Sequence, residues 1–442
     1  MKKTTVSIDE AFCAANPRSR ELFERGRGFM AGAAKGAYNH KPFPLTMERG
    51  EGCYLHDVDG HRYLDFASHH TVQILGHNHP AVMKAVRAQM ERGIVLGAAV
   101  GVEAELCAEM CKRVKSVQRI RFCNSGTEAT LHAIRLARGF SGRPKIAKFE
   151  GGYHGSHDPV EISVSPPLEK AGPPRRPHSV PTAGGMSAHA AQEVVVLPYD
   201  DEEAVERLVV EHRDELACVI LDPKAGILPQ REEFVQAVRD ITRKSDVLLI
   251  LDEVVAFRVA RGGYQETVGI SPDLTTFGKF VGGGFPVGAF GGRADIMDLL
   301  DNTRRSTGFN QSGTFSANPI TTTAGLATLE QLTQDAFEHL NTLGDRLRAG
   351  LNELFARKSI AARVVGPGSL FGIYFTDADL TNYRSLGRTD SDLAHRVFLA
   401  LLEQGYYLGP GLAMCSLSLP MDGGHIDGLI EAVEKAFERA TE

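Results

Sequence analysis

The chain has 442 residues, of which 43% are hydrophobic, and this length allows a large core and two domains. Its formal net charge of −6 gives no basic field for nucleic acid, and no apolar run approaches the roughly 18 residues that span a bilayer. The seven cysteines form no paired framework, and no apolar segment typical of a secretory signal follows the N-terminus, so we predict a cytoplasmic protein.

Residues 1–75 contain a polar arm and a predicted hairpin. The arm either lies on the surface or covers the site of a dimer partner. Two alternating runs within residues 52–66 flank Asp59-Gly60, a dipeptide that favours a type I′ turn. His77 and His79 have a spacing that metals accept, but no third ligand follows at a suitable distance, so we predict no metal site.

Residues 76–331 alternate short apolar strands with helices, which predicts a mostly parallel, doubly wound α/β sheet. Ligands of such sheets bind at the carboxyl ends of the strands. The first candidate segment, 124–128, joins a strand to a helix, and Ser125 and Glu128 within it have capping-box spacing. Backbone N–H groups and the helix dipole both face such a turn, so a common helix cap or an anion cradle is expected there.

Two further segments follow the next predicted strand, at 146–149. Tyr153, just past the end of that strand, is either a core residue or an aromatic side chain that stacks on a flat ring. Residues 158–192 are rich in proline and show no periodicity. We therefore predict a long loop that serves as a lid or an interface segment.

The run at 248–252 is apolar and ends in Asp252, which is typical of a buried parallel strand that carries a carboxylate to the sheet edge. Lys279 follows the next apolar run and precedes three consecutive glycines. An acid for the pyridine nitrogen and an amine for a Schiff base are the two groups that pyridoxal 5'-phosphate (PLP) requires. The glycines lack the spacing of a dinucleotide-binding motif, which disfavours a nucleotide-binding protein. We predict a PLP enzyme.

Residues 332–442 are predicted to form a smaller α+β domain that packs with the N-terminal segment. The predicted division is thus 1–75, 76–331 and 332–442. Thr314 lies near the start of a helix and is a second candidate for phosphate binding.

The motifs at 124–128, 153–155, 252–254 and 278–284 together resemble the class-III PLP-dependent aminotransferases of fold type I. The nearest branch includes glutamate-semialdehyde aminomutase and the β-phenylalanine and D-phenylglycine aminotransferases. The resemblance extends from about residue 42 to the C-terminus.

This resemblance implies that Lys279 forms the Schiff base and carries the proton, and that Asp252 pairs with the pyridine nitrogen. It places Tyr153 and Val254 on opposite faces of the ring and adds His154 to the cofactor site.

The resemblance also implies that Ser125, Gly126 and Thr127 hold the phosphate, together with Thr314 of a partner subunit. A homodimer with shared active sites follows from that arrangement.

Substrate recognition departs from the resemblance. Relatives often carry a carboxylate-binding arginine in the N-terminal glycine-rich segment, but here the segment contains Lys35 and Tyr38 instead. Lys35 and Arg258 are the candidates to replace it, although a lysine gives no bidentate contact. His70 occupies a position that is usually aromatic and near the substrate.

The loop at 408–414, which includes Gly411, lacks both the glutamate of the aminomutases and the arginine of the β-phenylalanine enzymes. From these departures we predict an aminotransferase, which moves an amino group from an amine or amino acid to a carbonyl acceptor through Lys279. An intramolecular aminomutase is the alternative.

Overall fold

The computed structural model describes residues 6–32, 34, 36–187, 189–224, 227–303 and 308–442. The chain divides into two compact units. The terminal unit comprises Met1–His79, Glu338–Ala378 and Arg388–Glu442, and the central unit comprises Pro80–Phe337 and Asp379–Gly387. The three-part division expected from the sequence stays a prediction. It did not anticipate that Asp379–Gly387 belongs to the central unit, although the residues on both sides of this segment belong to the terminal unit.

The strands in chain order are β1 (Met47–Glu51), β2 (Tyr54–Asp57), β3 (Arg62–Asp65), β4 (Arg119–Cys123), β5 (Lys145–Phe149), β6 (Val194–Leu197), β7 (Leu216–Leu221), β8 (Leu248–Asp252), β9 (Leu274–Gly278), β10 (Gly288–Gly292), β11 (Arg363–Val365), β12 (Leu370–Tyr374), β13 (Tyr406–Tyr407) and β14 (Cys415–Ser416). The right-handed helices are Ile8–Ala15, Pro17–Arg27, Pro80–Arg92, Gly101–Arg113, Gly126–Ser141, Glu202–His212, Glu232–Lys244, Tyr264–Val268, Ala294–Met297, Pro319–Gln331, Gln334–Lys358, Tyr383–Leu386, Ser391–Glu403 and Gly423–Thr441. Short 3₁₀ turns lie at Gly36–Tyr38, Asp158–Val160, Ala190–Glu193, Ala256–Val259, Lys279–Gly282 and Asp298–Leu300.

The central unit is organised around a seven-stranded sheet in the order β4-β10-β9-β8-β7-β5-β6. Its neighbouring strands run parallel except for β10, which is antiparallel to both β4 and β9. Every residue of β7, β8 and β9 is buried, as expected for strands that are covered on both faces by helices. The predicted mostly parallel, doubly wound α/β sheet is confirmed.

The antiparallel strand β10 begins where β4 and β9 end, because Gly288 pairs with both Cys123 and Gly278. A Cβ atom built on Gly288 would lie 1.9 Å from the carbonyl oxygen of Ser125. Only glycine permits this approach. The strand therefore holds the turn after β4 close to the end of β9.

The terminal unit contains a four-stranded sheet, β1-β2-β3-β13, and a three-stranded sheet, β11-β12-β14. The predicted hairpin is confirmed as β2 and β3. The predicted type I′ turn is wrong, because that turn needs two left-handed residues and Asp59 is not left-handed, whereas Gly60 has φ +94°. Three residues separate Asp57 from His61, whose carbonyl accepts the Asp57 N–H, so the loop is longer than a two-residue turn.

Four consecutive residues after β3, Ser68–Thr71, form a left-handed turn with φ between 45° and 73°. Such a conformation is rare outside glycine, because Cβ approaches the following carbonyl oxygen. Asp65 anchors the turn by accepting the Ser68 N–H at 2.8 Å. The other oxygen of the Asp65 carboxylate lies 2.8 Å from His77 Nε2.

Among the described residues, no helix combines the length and the apolar character needed to cross a bilayer.

Candidate active site

Three strand ends of the central unit converge around the side chain of Val254. A Cβ atom built on Gly126, at the start of the helix after β4, would lie 3.1 Å from Val254 Cγ1. A Cβ atom built on Gly278, at the end of β9, would lie 3.3 Å from the same atom and 3.8 Å from the Cα atom of Gly126. The sheet therefore brings the predicted phosphate turn, the acid-bearing strand and the lysine-bearing strand together.

Asp252 ends β8 and is buried, with a relative exposure of 7%. Its Oδ1 accepts the Val254 N–H at 3.1 Å and the Thr276 hydroxyl at 2.9 Å. Its Oδ2 lies 2.7 Å from His154 Nδ1. Burial alone would raise the pKa of this carboxyl, but the bonds from His154, Val254 and Thr276 outweigh burial and hold the pKa below its ordinary value. The carboxylate is therefore charged at neutral pH.

His154 is buried and is held from two sides. Because a carboxylate only accepts hydrogen bonds, the Nδ1 atom that faces Asp252 carries the proton. The carbonyl oxygen of His154 accepts a 2.6 Å bond from the hydroxyl of Thr130, which lies on the helix Gly126–Ser141. The predicted cofactor residue His154 thus contacts Asp252 and is tied to the helix that starts at the phosphate turn.

Tyr153 has a relative exposure of 60% in this chain. That exposure overturns the alternative that Tyr153 is a core residue. Tyr153 is the neighbour in sequence of His154, the histidine that contacts Asp252. The stacking role itself stays a prediction.

The predicted phosphate turn opens a 16-residue helix, Gly126–Ser141. Ser125 is its N-cap and accepts the Glu128 N–H at 3.1 Å. The predicted capping box is only half formed. The Glu128 carboxylate accepts the N–H of Asn124 at 2.9 Å rather than that of Ser125. The N–H groups of Gly126 and Thr127 belong to the first helical turn, which has no acceptor within the helix.

Lys279 follows β9 directly and has φ +57°, a left-handed conformation that lysine rarely adopts. Such strain concentrates at functional sites. Gly283, one of the three glycines after it, is required by packing, since a Cβ atom there would lie 2.4 Å from the carbonyl oxygen of Ala324. Thr314, predicted to reach a partner subunit, is exposed in the single chain.

Two predicted substrate residues, Tyr38 and His70, contact each other in the terminal unit. Tyr38 Oη lies 2.7 Å from His69 Nδ1, and the Tyr38 ring centroid lies 4.9 Å from that of His70. Burial, followed by the charge of Asp65, raises the pKa of Tyr38 to about 12. Gly411 is exposed and left-handed, with φ +78°.

Two other substrate predictions fare differently. Lys35 lies outside the described residues. Arg258 has no exposed surface, and burial lowers its pKa to about 9. That Arg258 binds a substrate carboxylate stays a prediction.

Sequence reasoning missed Thr276 and Thr130, the two hydroxyls that hold Asp252 and His154 in place. Thr276 lies opposite Asp252 in the pairing of β8 and β9. Its signal was a pair of threonines in an otherwise apolar buried strand, because a buried hydroxyl needs an acceptor. Thr130 gave no comparable signal.

The family model described as Aminotransferase class-III matches residues 35–437. The chain belongs to the class-III aminotransferase family. Its cofactor is PLP, as the sequence predicted, and its fold is that of the PLP-dependent transferases of fold type I.

An omega-transaminase structure from Sphaerobacter thermophilus is 39% identical, covers 96% of this chain and 98% of its own, and has a TM-score of 0.92. A β-phenylalanine aminotransferase structure from Variovorax paradoxus is 36% identical, covers 96% and 95%, and has a TM-score of 0.88. The glutamate-1-semialdehyde 2,1-aminomutase of Methanocaldococcus jannaschii is 39% identical over 95% of this chain and 98% of its own.

The prediction of an aminotransferase is corrected by these curated relatives. Seven of them, at 34–39% identity over 95–96% of this chain, share the name glutamate-1-semialdehyde 2,1-aminomutase. The finding favours the aminomutase alternative. Sequence reasoning erred because both reactions use the same lysine, aspartate and phosphate turn, so the choice depended on a missing glutamate in one loop.

The residues of the central unit fit PLP. Oδ2 of Asp252 receives one hydrogen bond from the described residues, and a carboxylate oxygen accepts two, so a protonated pyridine nitrogen has an acceptor. The first turn after Ser125 offers N–H groups to a phosphate. The glycine at 126 keeps the space beside Val254 that any larger residue would reduce.

Proposed function

We propose that this protein is an aminomutase of the glutamate-1-semialdehyde 2,1 type, which moves an amino group between neighbouring carbons of one substrate. The observation that carries the proposal is the shared name of full-length relatives at 34–39% identity. The site described above supplies the groups that such a transfer needs. The assignment of each site residue is part of this proposal.

When bound, PLP supplies an electron sink that stabilises negative charge at the carbon that loses a proton. Asp252 would hold the ring nitrogen in its protonated form, because its carboxylate is charged and its Oδ2 can accept a second hydrogen bond. His154 and Thr276 keep the carboxylate in one orientation. Tyr153 packs on the ring, and Gly126 and Thr127 bind the phosphate.

Lys279 carries the proton. Its amine first takes a proton from the carbon that bears the amino group and later returns a proton to the neighbouring carbon. Because the amino group that leaves one carbon is returned to the neighbouring carbon of the same molecule, the substrate and product are isomers of equal mass. No external amino acceptor is consumed over the cycle.

A single incubation tests the reaction. Purified protein loaded with PLP is given glutamate-1-semialdehyde without any added amino donor or acceptor, and products are followed by NMR and mass spectrometry. We expect many turnovers to an isomer in which C1 carries the amine and C2 the carbonyl. Conversion that stops at one equivalent per site, and resumes only when a keto acid is added, would contradict the proposal.

We further propose that the protein is a homodimer in which Thr314 of the partner subunit completes each phosphate site. Thr314 and Phe315 are exposed in the single chain, and so is a consecutive apolar run at Ile94, Val95 and Leu96, each more than half exposed. Exposed apolar runs of this kind mark association surfaces. All seven cysteines are free, which supports a reducing, cytoplasmic location.

Two substitutions test the dimer. Leu96→Asp is expected to yield monomers in analytical ultracentrifugation and to weaken PLP binding at the same time. Thr314→Ala is expected to leave the dimer intact and to weaken PLP binding alone. A wild-type protein that sediments as a monomer while it binds PLP tightly would rule the shared site out.

A further inference from the structure

The turn that carries Tyr153 and His154 begins with a buried acid. Glu150 directly follows β5 and has a relative exposure of 5%. Gly151 is left-handed, with φ +77°, and its N–H donates to Ser163 at 2.8 Å. A buried carboxylate must be paired, and its partner here lies far away in the sequence.

That partner is Arg384, on the helix Tyr383–Leu386. Its guanidinium grips both oxygens of the Glu150 carboxylate, with Nε at 2.8 Å from one and Nη2 at 2.9 Å from the other. The same group donates to the carbonyl oxygens of Gly172 at 2.8 Å and Ala171 at 3.1 Å. Only the planar fork of arginine can make this set, because a lysine amine is a point donor.

The neighbouring residue Tyr383 packs against the turn at Gly151. A Cβ atom built on Gly151 would lie 2.6 Å from the Cβ atom of Tyr383, so the tyrosine rests directly on the glycine. The Tyr383 hydroxyl donates to the carbonyl oxygen of Pro166 at 3.0 Å. The segment is also held by Gln230, whose amide donates to Thr381 at 3.3 Å.

Arg384 and Tyr383 therefore tie together two parts of the central unit. One is the turn 150–152, and the other is the proline-rich segment between Pro166 and Gly172. Arg384 is partly exposed, and an ion pair of this kind adds little stability compared with apolar packing, but it fixes orientation. The next residues after the turn are Tyr153 and His154.

We propose that Asp379–Gly387 is a strap that sets the geometry of the cofactor residues, and that Arg384 is a positioning residue for Tyr153 and His154. It acts through Glu150, because a shift of the turn 150–152 moves both side chains. The strap enters the central unit from the terminal unit and returns to it, so this part of the cofactor site depends on a distant part of the chain. The inference depends on the family's cofactor and not on which reaction the enzyme catalyses.

Three variants test the strap. Arg384→Lys keeps the charge but loses the fork, Arg384→Ala removes both, and Arg388→Ala replaces an exposed arginine four residues away as the matched control. The PLP dissociation constant is expected to rise about tenfold in Arg384→Ala and less in Arg384→Lys, as for other outer partners of a functional group. The control should match the wild type.

Two readouts separate positioning from general stability. The pH titration of the yellow absorption of lysine-bound PLP should shift in both Arg384 variants, because the contact between His154 and Asp252 changes. Hydrogen exchange of the PLP-free protein should rise in peptides that cover 150–156 and stay unchanged in β7. Neither readout needs a substrate, so failure of the aminomutase assay leaves this test intact.

A variant of the acid, Glu150, covers the case in which Arg384→Ala does not fold. Glu150→Gln keeps the shape of the side chain and removes the charge that orients the guanidinium, and it should shift the same titration. If Arg384→Lys and Glu150→Gln both show wild-type affinity, titration and exchange, the strap has no positioning role.

Discussion

Two buried carboxylates lie at the carboxyl ends of strands in the same sheet, and they are held in opposite ways. Asp252 receives one ring N–H, one hydroxyl and one backbone N–H, which are separate donors on separate residues. Glu150 is gripped at both oxygens by a single guanidinium. Asp252 therefore stays charged and can accept one further hydrogen bond at Oδ2. The charge of Glu150 is instead paired with that of Arg384 inside the protein.

The difference shows how a binding carboxylate can be told from a structural one. Burial alone does not distinguish them, since both are buried, with relative exposures of 7% for Asp252 and 5% for Glu150. The distinguishing property is the charge of the partner: Glu150 is paired with a cation of the protein itself, Arg384, whereas Asp252 is held by a hydroxyl, a backbone N–H and a ring N–H. The following predictions test that distinction, beginning with the largest expected effect.

Lys279→Ala is expected to abolish turnover and the yellow absorption of lysine-bound PLP, because no other amine is proposed at that position. Absorption spectra and product formation are measured on protein reconstituted with excess PLP. Lys145→Ala, a lysine paired with Glu215 on the same sheet, serves as the control and should behave as the wild type. Retained turnover in Lys279→Ala would contradict the assignment of Lys279 as the Schiff-base lysine.

Asp252→Asn is expected to lower the maximal rate on the order of 10²–10³-fold, because a fixed charge at the ring nitrogen is lost. Rates are measured at saturating PLP. Glu150→Gln removes the same charge from the other strand end and should lower the maximal rate much less under these conditions. Equal losses in the two variants would show that the two carboxylates are not functionally distinct.

Lys148→Met tests whether a buried lysine near Glu150 makes the free energy of unfolding depend on pH. Lys148 is fully buried and donates to Ile162 at 2.6 Å, and burial, partly offset by Glu161 and Glu150, lowers its pKa to about 7 from 10.5. Between these values the unfolded chain binds more protons than the folded one. The free energy of unfolding should therefore rise with pH by about 3–5 kcal/mol in the wild type.

Lys148→Met should lack this rise when both proteins are unfolded in urea across the same pH range. Lys145→Met, which alters a partly exposed ion pair, is the control and should keep the rise of the wild type. Parallel pH profiles for wild type and Lys148→Met would mean that Lys148 keeps its ordinary pKa in the folded protein.

The smallest effect is expected at Tyr153. Replacing it with alanine should weaken PLP binding about three- to tenfold, since ring stacking contributes about 0.5–1.5 kcal/mol. Tyr153→Phe keeps the ring and should bind PLP as the wild type does. Dissociation constants from fluorescence titration decide the matter, and a loss in the phenylalanine variant would assign the effect to the hydroxyl instead.

Sequence reasoning located the strand ends well because each carries a local signal. The apolar run before Asp252, the glycines after Lys279 and the serine before Gly126 all encode constraints within a few residues. The fold class followed from the same signals, because alternating strands and helices admit few arrangements.

The rest depended on contacts that have no local signal. Arg384 and Glu150 are 234 residues apart, and neither residue type at its position suggests the other. The hairpin was found, but its turn type was not, because the loop has three residues rather than two. The reaction was misjudged because the cofactor residues are common to several reactions.

The left-handed turn at Ser68–Thr71 has a practical consequence for altering substrate preference. His69 and His70 contact Tyr38 and are natural positions for mutagenesis. Their left-handed backbone conformation, however, carries an energetic penalty for most side chains. Valine, isoleucine and threonine would be tolerated worst, and asparagine, aspartate and glycine best. A library confined to those three residues should therefore return a larger share of folded variants than full randomisation.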